Sequence, residues 1–156
     1  MPSALIVSAG EKGQAVLRDM LSASRFDRVT TVSNGSDARR ALISQGYELV
    51  VINTPLTDEF GHELAAHASA GGAGVIMLCK AEHAEQLGAA LEREGVFVMS
   101  KPLVRPLFMQ ALHLVEMTQA RMYELIVERD KLRRQLEDLR AVSRAKCLLI
   151  ERLGWT

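Results

Sequence analysis

Five short apolar or β-branched runs punctuate the N-terminal two thirds of the chain: ALIVS at Ala4–Ser8, RVTTV at Arg28–Val32, ELVVIN at Glu48–Asn53, GVIMLC at Gly74–Cys79 and VFVM at Val96–Met99. Three of them are almost unbroken apolar stretches, the pattern of strands covered on both faces. Between them, apolar residues recur three and four positions apart, as at Ala15, Val16, Leu17, Met20 and Leu21. Ser36-Asp37 ahead of Ala38, Ala41 and Leu42 predicts a second helix start, with Gly46 as its stop. Strand–helix alternation repeated five times predicts an α/β fold, a doubly wound five-stranded parallel sheet with helices on both faces. In such sheets the working site lies beyond the carboxyl ends of the strands. The residues in that place are Ser8-Ala9, Asn53, Cys79 and Ser100-Lys101.

After Lys101-Pro102 the pattern changes. From Leu103 to about Leu153 the only Pro or Gly is Pro106, which a first helical turn accepts. A helix of that length spans about 75 Å, more than twice the roughly 30 Å of a small domain, so most of it is expected to leave the body. Residues 103–118 are expected to pack on their own domain. Beyond them a heptad fits, with Met122, Arg129 and Leu136 at a and Leu125, Leu132 and Leu139 at d; Ala111, Val115 and Thr118 extend it backwards. Glu128 then falls at g and Arg133 at the following e, so a parallel pair of chains sets opposite charges against each other. This predicts a homodimeric coiled coil, in which Arg129 lowers stability while fixing register; an unpaired or back-folded helix is the alternative.

Composition narrows the class. The 156 residues are 48% hydrophobic and 24% charged, a globular balance. No apolar run approaches the roughly 18 residues of a membrane span, and the N-terminus lacks the basic region of a signal peptide. Two cysteines, Cys79 and Cys147, make no disulfide framework and suit a reducing, cytoplasmic setting. The formal charge of zero hides an asymmetry. From Arg121 onward there are nine Lys and Arg against six Asp and Glu, leaving ten against thirteen elsewhere. Arg140, Arg144 and Lys146 lie within two helical turns and are candidate contacts to RNA phosphates. With only Tyr123 and Trp155 as aromatics in this region, base readout has no support.

The five-strand pattern and its strand-end residues resemble a two-component response-regulator receiver domain, a flavodoxin-like fold, over about residues 1–120. YELVVINTPLTDEFGHEL at Tyr47–Leu64 is similar to that family's third strand and following loop. The resemblance places the phosphoacceptor Asp position at Asn53, with the family's Gly eight residues on at Gly61. The acidic pair that holds Mg²⁺ falls on Ser8 and Ala9, and the hydroxyl residue ending the fourth strand on Cys79. Only Lys101-Pro102 is retained. A carboxamide is a poor nucleophile towards phosphorus, and a hydroxyl, a methyl group and an amide make no magnesium shell. The expectation is therefore a degenerate site with no phosphorylation at Asn53, no metal and no cofactor. Lys101 is then read either as donating to Asn53 or a backbone carbonyl, or as kept for the shape of its turn. Asp58 or Glu59 as a substitute acceptor is a weaker alternative.

LEDLRAVSRAKCLLIERLGWT at Leu136–Thr156 resembles the opening of an ANTAR domain, the helical RNA-binding module of transcription antiterminators. That family's Ala-Lys-Gly matches Ala145-Lys146 with Cys147 in place of Gly, and its apolar positions match Val142, Leu148, Leu149 and Leu153 before a turn at Gly154. The chain ends at Thr156, where the family's second helix begins, so the resemblance implies a shortened chain or a protein lacking the rest of the module. The implied organisation is a receiver-like domain over 1–119, a coiled-coil linker over 120–140 and a partial ANTAR segment over 141–156. The implied function is phosphorylation-independent regulation of transcription through dimerisation and, in the complete protein, binding of RNA leader hairpins, with a regulatory protein partner or ligand on the receiver. A pure dimerisation or scaffolding module that binds no RNA is the rival.

Other signals carry less. Ser8–Gly13 lacks the Gly-Lys-Ser/Thr ending of a phosphate loop, and Gly71–Gly74 precedes a strand instead of following one. The four histidines show no metal-ligand spacing, and no nucleophile–base–orienter set is recognisable, so enzyme activity is not expected.

Overall fold

The computed structural model describes residues 2–153; the turn read at Gly154 and the aromatic Trp155 lie outside the described residues. Strand and helix alternate throughout: β1 (Ser3–Ser8), α1 (Glu11–Ser22), β2 (Arg28–Val32), α2 (Gly35–Ser44), β3 (Leu49–Asn53), α3 (His62–Ala70), β4 (Gly74–Cys79), α4 (Ala81–Glu92), β5 (Val96–Ser100) and α5 (Arg105–Leu153). The sheet is parallel throughout in the order β2-β1-β3-β4-β5. The three apolar runs occupy its centre: every residue of β1 and β4, and all of β3 but Asn53, is buried. The edges fall to RVTTV and VFVMS, whose side chains are mostly half-buried or exposed.

Alternation along the strands divides the core into two layers. Leu5, Val7, Val50, Ile52, Val75 and Met77 face Ala38 of α2, Leu64, Ala65 and Ala68 of α3 and Leu91 of α4. Ala4, Ile6, Leu49, Val51, Ile76 and Leu78 face Leu17, Met20 and Leu21 of α1 and Phe108, Ala111 and Leu112 of α5. The chain thus leaves β1 on one face of the sheet and β3 on the other, which sets the topological switch point between them.

Two local differences from the sequence reading have physical causes. Helix α2 starts at Gly35, because Asn34 is its cap: the Asn34 side chain accepts the Asp37 N–H at 2.7 Å. Helix α5 begins at Arg105, two residues after Leu103, with the Val104 carbonyl accepting the Phe108 N–H at 2.9 Å.

Contacts divide the chain between Met117 and Thr118. In the first unit, Ala111 and Val115 pack into the α1-side core, so they are not available to a heptad seam. In the second, Met122, Leu125, Leu132, Leu136 and Leu139 are each 47% to 66% exposed. Tyr123, Ile126 and Val127 add apolar surface outside the a and d positions. No helix among the described residues is long and apolar enough to cross a membrane.

Candidate functional site at the strand ends

The parallel register sets Ser8 directly beside Asn53, and Asn53 beside Leu78, at the switch point. Ser8 is fully buried, and Asn53 Nδ2 donates to Ser8 Oγ at 3.1 Å. Gln14 reaches back from α1 to donate through Nε2 to the Ser8 carbonyl at 2.7 Å. Helix α1 is seated closely on this pair. A Cβ built on Gly13 would lie 2.7 Å from Ser8 Oγ and 2.8 Å from Asn53 Nδ2, so only glycine permits the approach. Asn53 Oδ1 is buried without a hydrogen-bond partner.

Lys101 is brought to the same place by the β5–α5 turn. Its backbone N–H donates to the Cys79 carbonyl at 2.7 Å, and its Nζ donates to the Thr54 carbonyl, one residue beyond Asn53. Of the two readings of Lys101, the structure shows the backbone-carbonyl bond. Thr54 is buried and doubly tied to β4, its N–H and Oγ1 both donating to the Leu78 carbonyl at 3.0 and 2.7 Å. Burial pushes the Lys101 ammonium below its ordinary pKa, an effect opposed by the Cys79 thiol and reinforced by Lys80. Burial pushes the Cys79 thiol up, partly offset by Lys101. Ala9 presents an exposed methyl group next to the site.

Ser8, Asn53, Cys79 and Lys101 therefore converge, and with Ala9 they supply no carboxylate. Mg²⁺ takes carboxylates and water in an octahedral oxygen shell. Here the one hydroxyl oxygen is occupied by an amide N–H and covered by Gly13, so the residues present do not fit the ion. Among the described residues no group of three or more His, Cys, Asp or Glu is arranged to hold a metal.

The loop after β3 is moored by contacts that sequence spacing does not reveal. Asp58 accepts the Gly35 and Ser36 N–H groups at 2.8 and 2.9 Å through its two oxygens. These bonds to the α2 N-terminus hold its carboxyl below the usual carboxylate range. Glu59 pairs with Arg39 at 2.9 and 3.0 Å. Both carboxylates of this loop are thus committed to α2. Gly61 enters α3 at φ 121°, and a Cβ there would lie 3.1 Å from Ile52 and Thr54 methyls, so this glycine serves turn geometry and packing together. Arg140, Arg144 and Lys146 are exposed on α5.

This geometry is that of the receiver fold, and solved structures agree. The chain is similar to the signal receiver domain of an HD domain-containing protein from Pseudomonas fluorescens Pf-5, at 23% identity and TM-score 0.69, covering 79% of this chain and 92% of that one. It is similar to a two component transcriptional regulator AraC from Clostridium phytofermentans ISDg, at 19% identity and TM-score 0.69, over 78% and 97% of the two chains. A response regulator receiver domain protein (CheY-like) from Methanospirillum hungatei JF-1 matches at 15% identity and TM-score 0.69, over 78% and 98%. No protein-family model and no curated protein matches the sequence. The chain has the CheY-like receiver fold, a five-stranded parallel sheet flanked by helices, followed by one long C-terminal helix.

Proposed function

We propose that this chain is a receiver-fold regulator that signals without phosphorylation, dimerises through α5, and serves transcription antitermination as part of an RNA-binding protein. The observation that carries the first part is the Ser8–Asn53 pair closed under Gly13. An acyl phosphate needs a carboxylate nucleophile and a metal to neutralise the incoming phosphoryl group, and neither is supplied by Ser8, Ala9, Asn53, Cys79 and Lys101. Incubation with acetyl phosphate and Mg²⁺ is expected to leave the intact mass unchanged; a stable gain of about 80 Da, one phosphoryl group, would refute it.

Dimerisation is supported by the exposed leucines of residues 120–140 and the Glu128–Arg133 charge pattern. The apolar spacing also changes there. Leu136, Leu139 and Val142 follow at two steps of three, where the heptad would take three and then four, so the seam resets after Leu139. That supports a boundary near residue 140 between the coiled-coil linker and the ANTAR-like segment 141–156, with residues 1–119 as the receiver. RNA contact through Arg140, Arg144 and Lys146 rests on the ANTAR resemblance and on their exposure. Titration against a two-hairpin leader RNA tests it: binding that weakens with salt is expected, and salt-independent or absent binding favours the rival.

The rival reading is a dimerisation or scaffolding module without RNA. Tyr123, Ile126 and Val127 favour it, because they leave more apolar surface than a two-stranded seam covers.

A further inference from the structure

A cavity of ≈ 340 Å³ opens beside Asn53, between α1 and the β5–α5 turn. Its walls include Val16, Leu17, Leu78 and Leu103, and its charged lining residues are Lys12 and Lys101. Among the described residues, neither lysine has a carboxylate within ion-pair distance, and nor does Lys80, whose charge already lowers the proton affinity of Lys101. Asparagine, serine and alanine stand at the strand ends Asn53, Ser8 and Ala9, so nothing there balances the ammonium groups. A half-buried ammonium without a counter-ion is held against its own desolvation, and an incoming anion offsets that cost. Apolar walls with a few convergent polar groups are the usual make-up of a small-molecule site, and this volume lies at the small end of the range.

We infer that this cavity binds a small organic carboxylate with an apolar body, its carboxylate on Lys101 and Lys12 and its body against Val16, Leu17, Leu78 and Leu103. Such a ligand bridges α1 to the turn that opens α5, and its occupancy takes the place of a phosphoryl group as the regulatory event. A bare anion forfeits the apolar walls, and a neutral molecule of the same shape forfeits the two ammonium groups. The inference rests on the reading that no acyl phosphate forms at Asn53.

The test is a titration of the isotope-labelled full chain with octanoate, octanamide and acetate, followed through backbone amide resonances. Octanoate is expected to shift Gly13, Val16, Leu78 and Leu103 with a Kd of about 1 mM or tighter, and the other two to bind at least about tenfold more weakly. Lys101→Met and Lys12→Gln should each weaken octanoate about tenfold or more, the scale of a lost charge-assisted hydrogen bond. Lys12 is exposed on α1, so its variant keeps the fold even if loss of the Lys101–Thr54 bond does not. Val16→Phe, at a position 44% exposed, should block the cavity and abolish the shifts. Unmoved resonances at these four residues, octanamide binding as tightly as octanoate, or unchanged affinity in the Lys12 variant would each overturn the inference. The acetyl phosphate experiment on the same sample keeps the two readings apart, since a phosphoryl adduct refutes the silent site whatever octanoate does.

Discussion

Replacing Gly13 by alanine tests how tightly α1 is seated on the strand ends. On helix propensity alone the change is favourable by up to about 1 kcal/mol. The structure reverses the sign. The new Cβ would meet Ser8 Oγ at 2.7 Å and Asn53 Nδ2 at 2.8 Å, against a comfortable contact of about 3.5 Å. Neither neighbour is the loose end of a long side chain: Ser8 is fully buried, and Asn53 is tied to it. Helix α1 must therefore lift or the Ser8–Asn53 bond must break, at about 1–3 kcal/mol for overpacking a closed site. Net of the full propensity gain, Gly13→Ala is expected to destabilise by up to about 2 kcal/mol. Gly88 in α4 is the internal control, since a Cβ there meets nothing within 4 Å, so Gly88→Ala should stabilise by up to about 1 kcal/mol. Urea unfolding followed by circular dichroism ranks the two. Adding Ser8→Ala to Gly13→Ala should recover part of the loss, because the Ser8 Cβ lies 4.0 Å from the new methyl. If Gly13→Ala raises the midpoint as Gly88→Ala does, the close seating of α1 is wrong, and with it the argument that the site is closed.

Restoring a carboxylate by Asn53→Asp alone is expected to leave the protein silent to acetyl phosphate by intact mass; labelling of that single variant would show that Ser8 and Ala9 are no barrier. The Asp58 carboxyl lies below its ordinary 3.8 in the folded protein, so its contribution to stability is present above that value and is lost as pH falls through the folded pKa. Asp58→Asn should accordingly flatten the acid limb of the stability–pH profile while changing the alkaline limb little, as read by thermal melts between acid and neutral pH. In the proposed coiled coil, Arg129→Leu removes a charge from an a position and should tighten the pair about tenfold or more in sedimentation equilibrium; weaker association would mean that Arg129 is not in a seam.

The fold is legible because β1, β3 and β4 are buried on both faces and so carry almost unbroken apolar runs, each too short for a core helix and set between helical patterns. The edge strands were found by their β-branched residues and place in the alternation, their burial pattern being weaker. The helix start read at Ser36-Asp37 falls at Gly35 instead, because only the fold shows that the Asn34 side-chain oxygen reaches the Asp37 N–H. At the site, Ser8, Asn53 and Lys101 were placed by their positions at strand ends. Gly13, Thr54 and the Asp58–α2 and Glu59–Arg39 contacts were not, because each joins residues from separate elements and leaves no periodic trace. Ala111 and Val115 illustrate the converse: a heptad reads through them, yet core packing decides what they touch.

The contrast between the two cysteines supplies the means to settle chain direction in a dimer. Cys79 is fully buried with its thiol pushed up in pKa, whereas Cys147 is exposed on α5. Thiol-reactive spin labels at neutral pH therefore go to Cys147 in the unmodified sequence, one per chain. In a parallel pair the two labels lie side by side. In an antiparallel pair centred between Met122 and Leu139 they stand about 50 Å apart at 1.5 Å per residue, a difference that dipolar spectroscopy resolves without mutagenesis.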